Sequence, residues 1–516
     1  MSTDRHLMLS FEGSTVPMWL EQSIADSPPA GLTLFRSLNM ESPHQVADII
    51  EKLQGINPDD TAMLIAVDQE GGQLQALPGS TPFAGNMALG AAGDIDLTRR
   101  VAEAMGREMA AVGINLNYAP VADVASRPRN PSLGVRSFGE DPSAVASHVA
   151  AAVEGYRSAD VLTTLKHFPG KGEAMVDPHY ELPRMDLDLD RLRKVELPPF
   201  IAGLSAGADL IMTGHYSVPA LTGNAETPLS MSEEAINGFI RGELGFGGLV
   251  ITDALDMGAL DQGAGQIVDI IASMRGGTDL LLVMPGPDLL ERARLAVTRG
   301  SSRSLIPKTT LDSSLQRISA TRRRLPKPDL RPEVVGSHHD LADELAHRSV
   351  TLVRNDAGLI PITEPGRILV LEPEPTNVTP ADTTDRHGPA FAETMREFHD
   401  QVTGIVYPHD PSPADVTGIV DVARNHDLVV VGTVNAPPGQ VELVDGLMTT
   451  DVALITVALR EPQDLASYPQ VSTHFCTYSG HTPSLRALAW GLFEGMPFVG
   501  RLPVAIPRLY PIGHGL

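Results

Sequence analysis

The sequence predicts an α/β protein with two domains: an N-terminal (β/α)8 (TIM) barrel, followed by an α/β sandwich domain with a mainly parallel sheet. Eight short apolar runs alternate with amphipathic stretches within residues 1–330, and a second series of apolar runs follows a segment rich in proline and charge. Strands that alternate with helices along a chain form parallel sheets, and eight such units close into a barrel.

The eight apolar runs are the predicted barrel strands. They are LMLSF (7–11), GLTLF (31–35), MLIAV (63–67), INLNY (114–118), LTTLKHF (162–168), DLIMTGH (209–215), GLVITD (248–253) and DLLLVMP (279–285). Between them lie amphipathic stretches such as DIDLTRRVAEAMGREMAAVG (94–113), whose apolar residues recur at helical spacing. We therefore expect each strand to be followed by a helix.

A linker is predicted where the segment RRRLPKPDLRPEVVGSHHD (322–340) is rich in proline and charge. We place the linker itself at 331–340, the barrel at 1–330 and the second domain at 341–516. The second domain is expected to begin with a helix, DLADELAHRSVTLVRND (340–356). Its expected strands are RILVLEP, GIVYP, DLVVVGTVN, DVALITVAL and HFCTYS.

Charge and cysteine content narrow the possible partners. A formal net charge of −25 argues against nucleic acid or an anionic membrane as a partner. The single cysteine, Cys476, excludes an intrachain disulfide and a metal site built on cysteine pairs. No signal-like segment and no apolar run of membrane-spanning length is present, so we expect a cytoplasmic protein. The sequence leaves a homodimer open.

Polar residues follow several of the predicted barrel strands, which is where the active site of such a barrel lies. The residues in these positions are Asp68, Asp123, Arg127, Arg129, Arg136, Lys166, His167, His215 and Asp253. The other ends of the same strands carry much less charge. This asymmetry indicates a functional site at the C-terminal end of the barrel.

These residue types suit the recognition and cleavage of a sugar. Retaining glycoside hydrolysis needs a carboxylate nucleophile, and Asp253 stands at a strand end where its position is fixed. The loop LKHFPGKGEAMVDPHYELP (165–183) supplies Asp177 and His179, two positions apart. An aspartate beside a histidine orients the ring, so that the imidazole can protonate a leaving oxygen and later deprotonate water. We expect Gly170 and Gly172 to let this loop move.

Several of these residues also have a purely structural explanation. Asp68 could cap a helix, and Lys166 and His167 could form a buried ion pair with a neighbouring carboxylate. Arg136 could be a surface arginine, and Asp253 could cap the segment that follows it. These alternatives stay open at the level of sequence.

The order of the motifs resembles glycoside hydrolase family 3, and within it the two-domain bacterial β-N-acetylglucosaminidases. The resemblance runs nearly end to end through LMLSFEG, GLTLF, VDQEGGQLQAL, NYAPVADVASRPRNPSLGVRSFGEDP, LKHFPGKGE with VDPHYELP, IMTGHYSVPAL, VITDALDMGAL and the closing GRLPVAIPRLYPIGHGL. A KHFPG motif with a following Asp-x-His is specific to this branch.

The resemblance implies a role for each matching residue. Asp253 would be the nucleophile, and His179 the acid/base assisted by Asp177. The residues expected to bind the sugar are Asp68, Arg136, Lys166 and His167, to which we add His215 from its place after the sixth predicted strand. The implied enzyme cleaves terminal β-linked N-acetylglucosamine from muropeptides or chitooligosaccharides through a covalent glycosyl-aspartate, without a metal or an organic cofactor.

The chain departs from the family pattern at three places. The family usually has His-Gly-Asp where this chain has Lys171-Gly172-Glu173, serine in place of Pro178, and arginine in place of Gln73. We expect these changes to affect the catalytic loop and the choice of aglycone. Three rival functions remain: a β-N-acetylglucosaminide phosphorylase that uses the same site, a non-catalytic sugar-binding protein, and a β-glucosidase, which the Asp-x-His dyad disfavours.

Overall fold

A computed structural model describes residues 3–260, 262–363 and 366–516 of the chain. The described residues of the N-terminal part form ten strands. They are β1 Leu7–Leu9, β2 Gly31–Thr33, β3 Leu64–Val67, β4 Gln69–Gly71, β5 Leu74–Gln75, β6 Leu116–Asn117, β7 Leu162–Phe168, β8 Leu210–Thr213, β9 Leu249–Thr252 and β10 Leu281–Val283. Strands β4 and β5 form a separate antiparallel hairpin, and the other eight fall within the eight predicted runs.

These eight strands form one parallel sheet in the order β10-β1-β2-β3-β6-β7-β8-β9. The two ends of the sheet meet at a parallel bridge between Ile251 and Leu280. There the amide of Thr252 donates to the carbonyl of Leu280 over 3.1 Å. The sheet is therefore closed into the predicted (β/α)8 barrel, and that prediction is confirmed.

Helices surround the barrel. They are α1 Met18–Asp26, α2 Pro43–Ile56, α3 Asn86–Ala92, α4 Ile95–Ala111, α5 Pro142–Ser158, α6 Leu189–Arg191, α7 Leu197–Ser205, α8 Pro219–Thr222, a π-helix Glu234–Glu243, α9 Gln266–Gly276, α10 Pro287–Ser302 and α11 Lys308–Arg322. The starts of α4 and α5 are set by Asp94 and Asp141, whose carboxylates accept hydrogen bonds from backbone amides three residues on.

Alternate residues along the strands serve two separate cores. In β3, Leu64 and Ala66 pack inside the barrel, while Ile65 and Val67 pack outward against the helices. Successive strand side chains point to opposite faces, so a strand that is buried on both faces must be apolar throughout. This explains why the runs are continuously apolar, with their polar residues confined to the ends.

The second domain is also α/β, with a six-stranded sheet in the order β11-β16-β15-β14-β12-β13. Its strands are β11 Thr351–Asn355, β12 Ile368–Pro373, β13 Val402–Tyr407, β14 Leu428–Thr433, β15 Ala453–Ala458 and β16 Thr473–Cys476. Its helices are α12 His339–Ser349, α13 Phe391–Arg396, α14 Pro413–Ala423, α15 Pro438–Met448 and α16 Thr482–Glu494. Among the described strands of this six-stranded sheet, only β11 runs antiparallel to its neighbour, so the prediction of a mainly parallel sheet is confirmed.

The predicted helix 340–356 is correct only in its first part. Helix α12 ends at Ser349, and the residues that follow form strand β11, which pairs with β16. The β-branched Thr351 and Val353 favour a strand, and the edge of the sheet offers hydrogen bonds there. The predicted linker at 331–340 contains a short 3-10 helix, Pro332–Val334, and the first two residues of α12. The domain boundary itself stays a prediction.

The two domains are joined through the barrel loops. The amide of Thr383 donates to the carbonyl of Gln73 in the β4–β5 hairpin over 2.8 Å. Near the C-terminus, the amide of Ala505 donates to the carboxylate of Glu140, also over 2.8 Å. The second domain therefore packs against loops at the C-terminal end of the barrel. None of the described helices is both long and apolar enough to cross a membrane.

Candidate active site

A cleft of about 500 Å³ opens at the C-terminal end of the barrel, between the barrel loops and the second domain. Six of the eight predicted site residues line it: Asp68, Arg136, Lys166, His167, His179 and Asp253. They come from the ends of β3, β7 and β9 and from the loops after β6 and β7. The strand ends thus bring together residues that are up to 185 positions apart in the chain.

The floor of the cleft is organised around a buried carboxylate, Glu70. It accepts two hydrogen bonds from Arg136, at 2.9 and 2.8 Å, and lies 2.6 Å from the ammonium of Lys166. Lys166 also donates to Asp68 over 2.6 Å. Burial raises the pKa of Glu70, but the opposing charges of Arg136 and Lys166 outweigh burial and hold that pKa far below its usual range. The carboxylate therefore stays ionised and fixes both cations.

A second buried carboxylate, Asp123, orients His167. Its oxygens accept hydrogen bonds from the backbone amide of His167, at 3.1 Å, and from Nδ1 of the ring, at 2.8 Å. Burial, followed by the charges of Lys171 and Arg136, lowers the pKa of His167 well below its usual value. The ring is therefore neutral at pH 7. With its proton on Nδ1, Nε2 is left as a hydrogen-bond acceptor.

The predicted dyad is formed in the loop after β7. Nδ1 of His179 lies 2.6 Å from Oδ1 of Asp177, which also accepts the amide of His179 over 3.0 Å. Burial raises the pKa of Asp177, but the hydrogen bonds from His179 outweigh it, so that this pKa is lower than usual. Asp177 itself is not among the cleft-lining residues, and it holds the imidazole from behind. Pro178 between them therefore does not prevent the contact.

The dyad loop is docked onto the segment that follows Asp253. The amide of Gly258 donates to the carbonyl of His179 over 3.0 Å, and the amide of Ala259 donates to that of Pro178 over 3.1 Å. A Cβ atom at position 258 would lie 2.8 Å from the carbonyl oxygen of His179, so only glycine allows this approach. The loop that carries the dyad and the segment that follows Asp253 are therefore fixed against each other.

Asp253 stands at the end of β9 and lines the same cleft as His179. One of its oxygens accepts the amide of Ala254 over 2.9 Å. Burial raises the pKa of this carboxyl. The charges of three surrounding histidines and of the Lys171 ammonium lower it by more than burial raises it, so the pKa of Asp253 is lower than usual. The carboxylate is therefore ionised, as a nucleophile must be.

His215, a predicted substrate-binding residue, does not line the cleft. Both of its ring nitrogens are engaged: Nδ1 with the hydroxyl of Ser230 at 2.7 Å, and Nε2 with the carbonyl of Ala254 at 3.1 Å. The side chain is completely buried. His215 thus supports the backbone next to Asp253 from below and does not face the space that a sugar would occupy.

Sequence reasoning missed Glu70 and left Asp123 without a role. Both follow barrel strands at the C-terminal end, so the strand-end rule could have identified them. Neither carboxylate lines the cleft. Each forms hydrogen bonds to residues that do line it: Glu70 to Arg136 and Lys166, and Asp123 to His167.

Lys171, one of the departures from the family pattern, lies inside the cleft itself. It is 2% exposed and lines the cleft. Burial lowers its pKa to about 8, and the nearby charge of Arg136 adds to this effect, while Asp123, Asp253 and Asp177 oppose it. The lysine thus places a positive charge near Asp253 and Asp177, and it releases its proton at a lower pH than an ordinary lysine.

Comparison of the sequence and the structure with known proteins identifies the family of this chain. The glycosyl hydrolase family 3 N-terminal domain matches residues 18–321. The chain belongs to glycosyl hydrolase family 3. Beta-hexosaminidase A of Pseudoalteromonas piscicida is 32% identical over 389 residues, which cover 69% of this chain and 64% of that relative. The match thus spans less than two thirds of that relative's length.

Other members of the family are similar over different parts of the chain. A beta-hexosaminidase of Stenotrophomonas maltophilia is 36% identical over 286 residues, 54% of this chain and 82% of that protein. The structure of a family 3 beta-N-acetylglucosaminidase from a Paenibacillus species has a TM-score of 0.92 and 31% identity, and the match covers 98% of both chains. The two-domain architecture is therefore shared with a solved member of the family.

The energetic cost of Lys171 can be measured with Lys171→Met. Below pH 8 Lys171 is protonated in both the folded and the unfolded chain. The folded protein then contains a buried ammonium, which lowers its free energy of unfolding by roughly 3 kcal/mol, as calculated from the lowered pKa. Above pH 8 the folded protein releases the proton, whereas the unfolded chain keeps it until about pH 10.4, so wild-type stability rises with pH in this window. We expect the variant to be about 1–3 kcal/mol more stable at pH 7 in urea unfolding, and the difference to shrink towards pH 10.

Lys194→Met is the matched control, because Lys194 is exposed on the barrel surface. It should show no such change with pH. Equal stabilities of wild type and Lys171→Met at both pH 7 and pH 10 would contradict the lowered pKa.

Proposed function

We propose that this chain is a retaining β-N-acetylglucosaminidase that hydrolyses terminal β-linked N-acetylglucosamine through a covalent intermediate on Asp253. The substrates are of the muropeptide or chitooligosaccharide type. Cytoplasmic location, and turnover without a metal or cofactor, remain predictions from the sequence.

The observation that carries this proposal is the hydrogen-bonded pair of His179 and Asp177 beside an ionised Asp253 in one cleft. A retaining mechanism needs a nucleophile on one side of the glycosidic bond and a proton donor on the other. Asp253, at a rigid strand end, attacks the anomeric carbon and forms a glycosyl ester. His179 protonates the leaving oxygen and then removes a proton from the water that hydrolyses the ester. Asp177 fixes the imidazole so that Nε2 faces the substrate.

The remaining cleft residues provide the binding groups for the terminal sugar. Asp68 accepts hydrogen bonds from hydroxyl groups, and Lys166 and Arg136 donate to them. Neutral His167 presents Nε2 as a further acceptor. Because Glu70 and Asp123 already fix these side chains, little rotamer entropy is lost when a sugar binds. His215 supports the turn at Asp253.

A second candidate is phosphorolysis at the same site, and Lys171 is the residue that favours it. Its positive charge lies near the nucleophile, and an incoming phosphate would be attracted to it. A histidine acid/base repels phosphate less than a carboxylate would. The two functions share every step up to the glycosyl ester and differ in the acceptor that cleaves it.

A turnover panel separates these functions. We expect hydrolysis of 4-nitrophenyl β-N-acetylglucosaminide at least about ten-fold faster, in kcat/KM, than of the β-glucoside and the β-xyloside, since loss of one good binding interaction costs about a factor of ten. The product should be free N-acetylglucosamine, with or without phosphate. Formation of the sugar 1-phosphate would establish phosphorolysis, and binding without turnover of any substrate would contradict an enzymatic role.

The role of His179 is tested by His179→Ala with substrates of different leaving groups. Poor leaving groups need protonation, so their cleavage should slow by roughly 10²–10⁴-fold, whereas activated aryl glycosides should lose far less. His426→Ala, at a partly buried histidine outside the cleft, serves as the control. Equal losses on both kinds of substrate would remove His179 from the acid/base role.

A further inference from the structure

One segment of the second domain forms part of the wall of the catalytic cleft. We call residues 377–386 the rim segment. The members that line the cleft together with Asp253 and His179 are Asn377, Pro380, Ala381, Asp382, Thr383, Asp385 and Arg386. Sequence analysis assigned them no role, because they belong to the second domain and lie far along the chain from the last barrel strand. The cleft is therefore built from both domains.

The rim segment is held firmly by the barrel hairpin. The amide of Thr383 donates to the carbonyl of Gln73 at 2.8 Å, and the Gln73 side chain donates to the carbonyl of Ala381 at 3.1 Å. The hydroxyl of Thr383 accepts the amide of Gln75 at 3.0 Å. Gln73 stands where the family usually has arginine, so this departure coincides with the attachment of the second domain.

Buried polar contacts also fix the segment from its own domain. Asp382 pairs with Arg460 at 2.8 Å, and its side chain has no exposed surface. Its carboxylate further accepts the amides of Val378, at 3.1 Å, and Thr384, at 2.9 Å. The segment is thus a preformed wall, and the side chains that it presents to the cleft have a defined position.

Two arginines, Arg36 and Arg386, line the cleft at this wall. Arg36 follows barrel strand β2, and Arg386 belongs to the rim segment. Burial lowers the pKa of Arg36, the charge of Arg386 lowers it further, and only Asp385 acts in the opposite direction. Nη1 of Arg36 is buried without a hydrogen-bond partner among the described residues. Two guanidinium groups beside one carboxylate leave a local excess of positive charge in a chain whose net charge is −25.

We propose that Arg36 and Arg386 form an aglycone subsite that binds a carboxylate carried by the leaving part of the substrate. This inference rests on the proposed function. The hydroxyl-binding residues lie on the barrel floor, so the terminal sugar fills the inner part of the cleft, and the rest of the substrate leaves past the rim. A carboxylate there would give Arg36 the acceptor that it lacks and would relieve the repulsion between the two arginines. The favoured substrates are therefore acidic glycans, rather than neutral chitooligosaccharides.

The test compares two substrates of nearly the same size: N-acetylglucosaminyl-β-1,4-N-acetylmuramic acid, with a free carboxylate, and its neutral methyl ester. We expect wild type to cleave the free acid about ten-fold better in kcat/KM, because a hydrogen bond to a charged group contributes a factor of this order. Arg386→Gln should reduce the acid-to-ester ratio to about three, and a double variant with Arg36→Gln should bring it close to one. Rising salt should lower the wild-type ratio.

Arg424→Gln provides the matched control, because Arg424 is an exposed arginine of the same domain that lies outside the cleft. The acid-to-ester ratio of kcat/KM in Arg424→Gln should equal that of wild type. Arg386 is exposed, so Arg386→Gln should fold normally, which circular dichroism verifies. A wild-type ratio near one, or an unchanged ratio in Arg386→Gln, would overturn the subsite.

Failure of the proposed function gives a different result, since neither disaccharide nor 4-nitrophenyl β-N-acetylglucosaminide would then be cleaved. In that case calorimetric binding of the two disaccharides replaces turnover. Acid and ester that bind with equal affinity would overturn the subsite. Tighter binding of the acid that is lost in Arg386→Gln would support it.

Discussion

The buried carboxylate of Glu70 is the interaction on which the floor of the cleft depends. It binds Arg136 through two nitrogens and Lys166 through its ammonium, and all three side chains are almost inaccessible to solvent. Removal of one member of such a group leaves an unpaired buried charge, which costs several kcal/mol. Strands β4 and β7 and the loop that carries Arg136 must therefore meet in one arrangement. Asp68 takes its position from the same arrangement through its contact with Lys166.

The β4–β5 hairpin, which carries Glu70, connects the floor of the cleft to the second domain. Glu70 lies in β4, and Gln73 and Gln75 of the hairpin hold the rim segment through hydrogen bonds. Glu70, which fixes Arg136 and Lys166, is thus only a few residues away from the glutamines that fix the second-domain wall. This proximity explains how a domain far away in sequence acquires a fixed position at the cleft.

The barrel and most of the residues that line its candidate site could be predicted from the sequence, because a barrel strand buried on both faces leaves its polar residues at the ends. Asp253 and Lys166 were predicted in this way, and His179 was predicted from its spacing to Asp177 in one loop. Two features could not be predicted. Whether His215 faces the cleft or the protein depends on its partners Ser230 and Ala254, which only packing brings to it. The rim segment reaches the cleft through contacts between domains, and no periodicity in the chain encodes these contacts.

Covalent trapping tests most directly whether Asp253 is the nucleophile of a retaining mechanism. A 5-fluoro-N-acetylglucosaminyl donor should inactivate the protein by forming a stable glycosyl ester. Digestion and mass spectrometry should then place the added mass on the peptide that contains VITDALDMGAL, at Asp253. Label on a different peptide, turnover of the donor without any label, or near-wild-type activity of Asp253→Ala would contradict the mechanism.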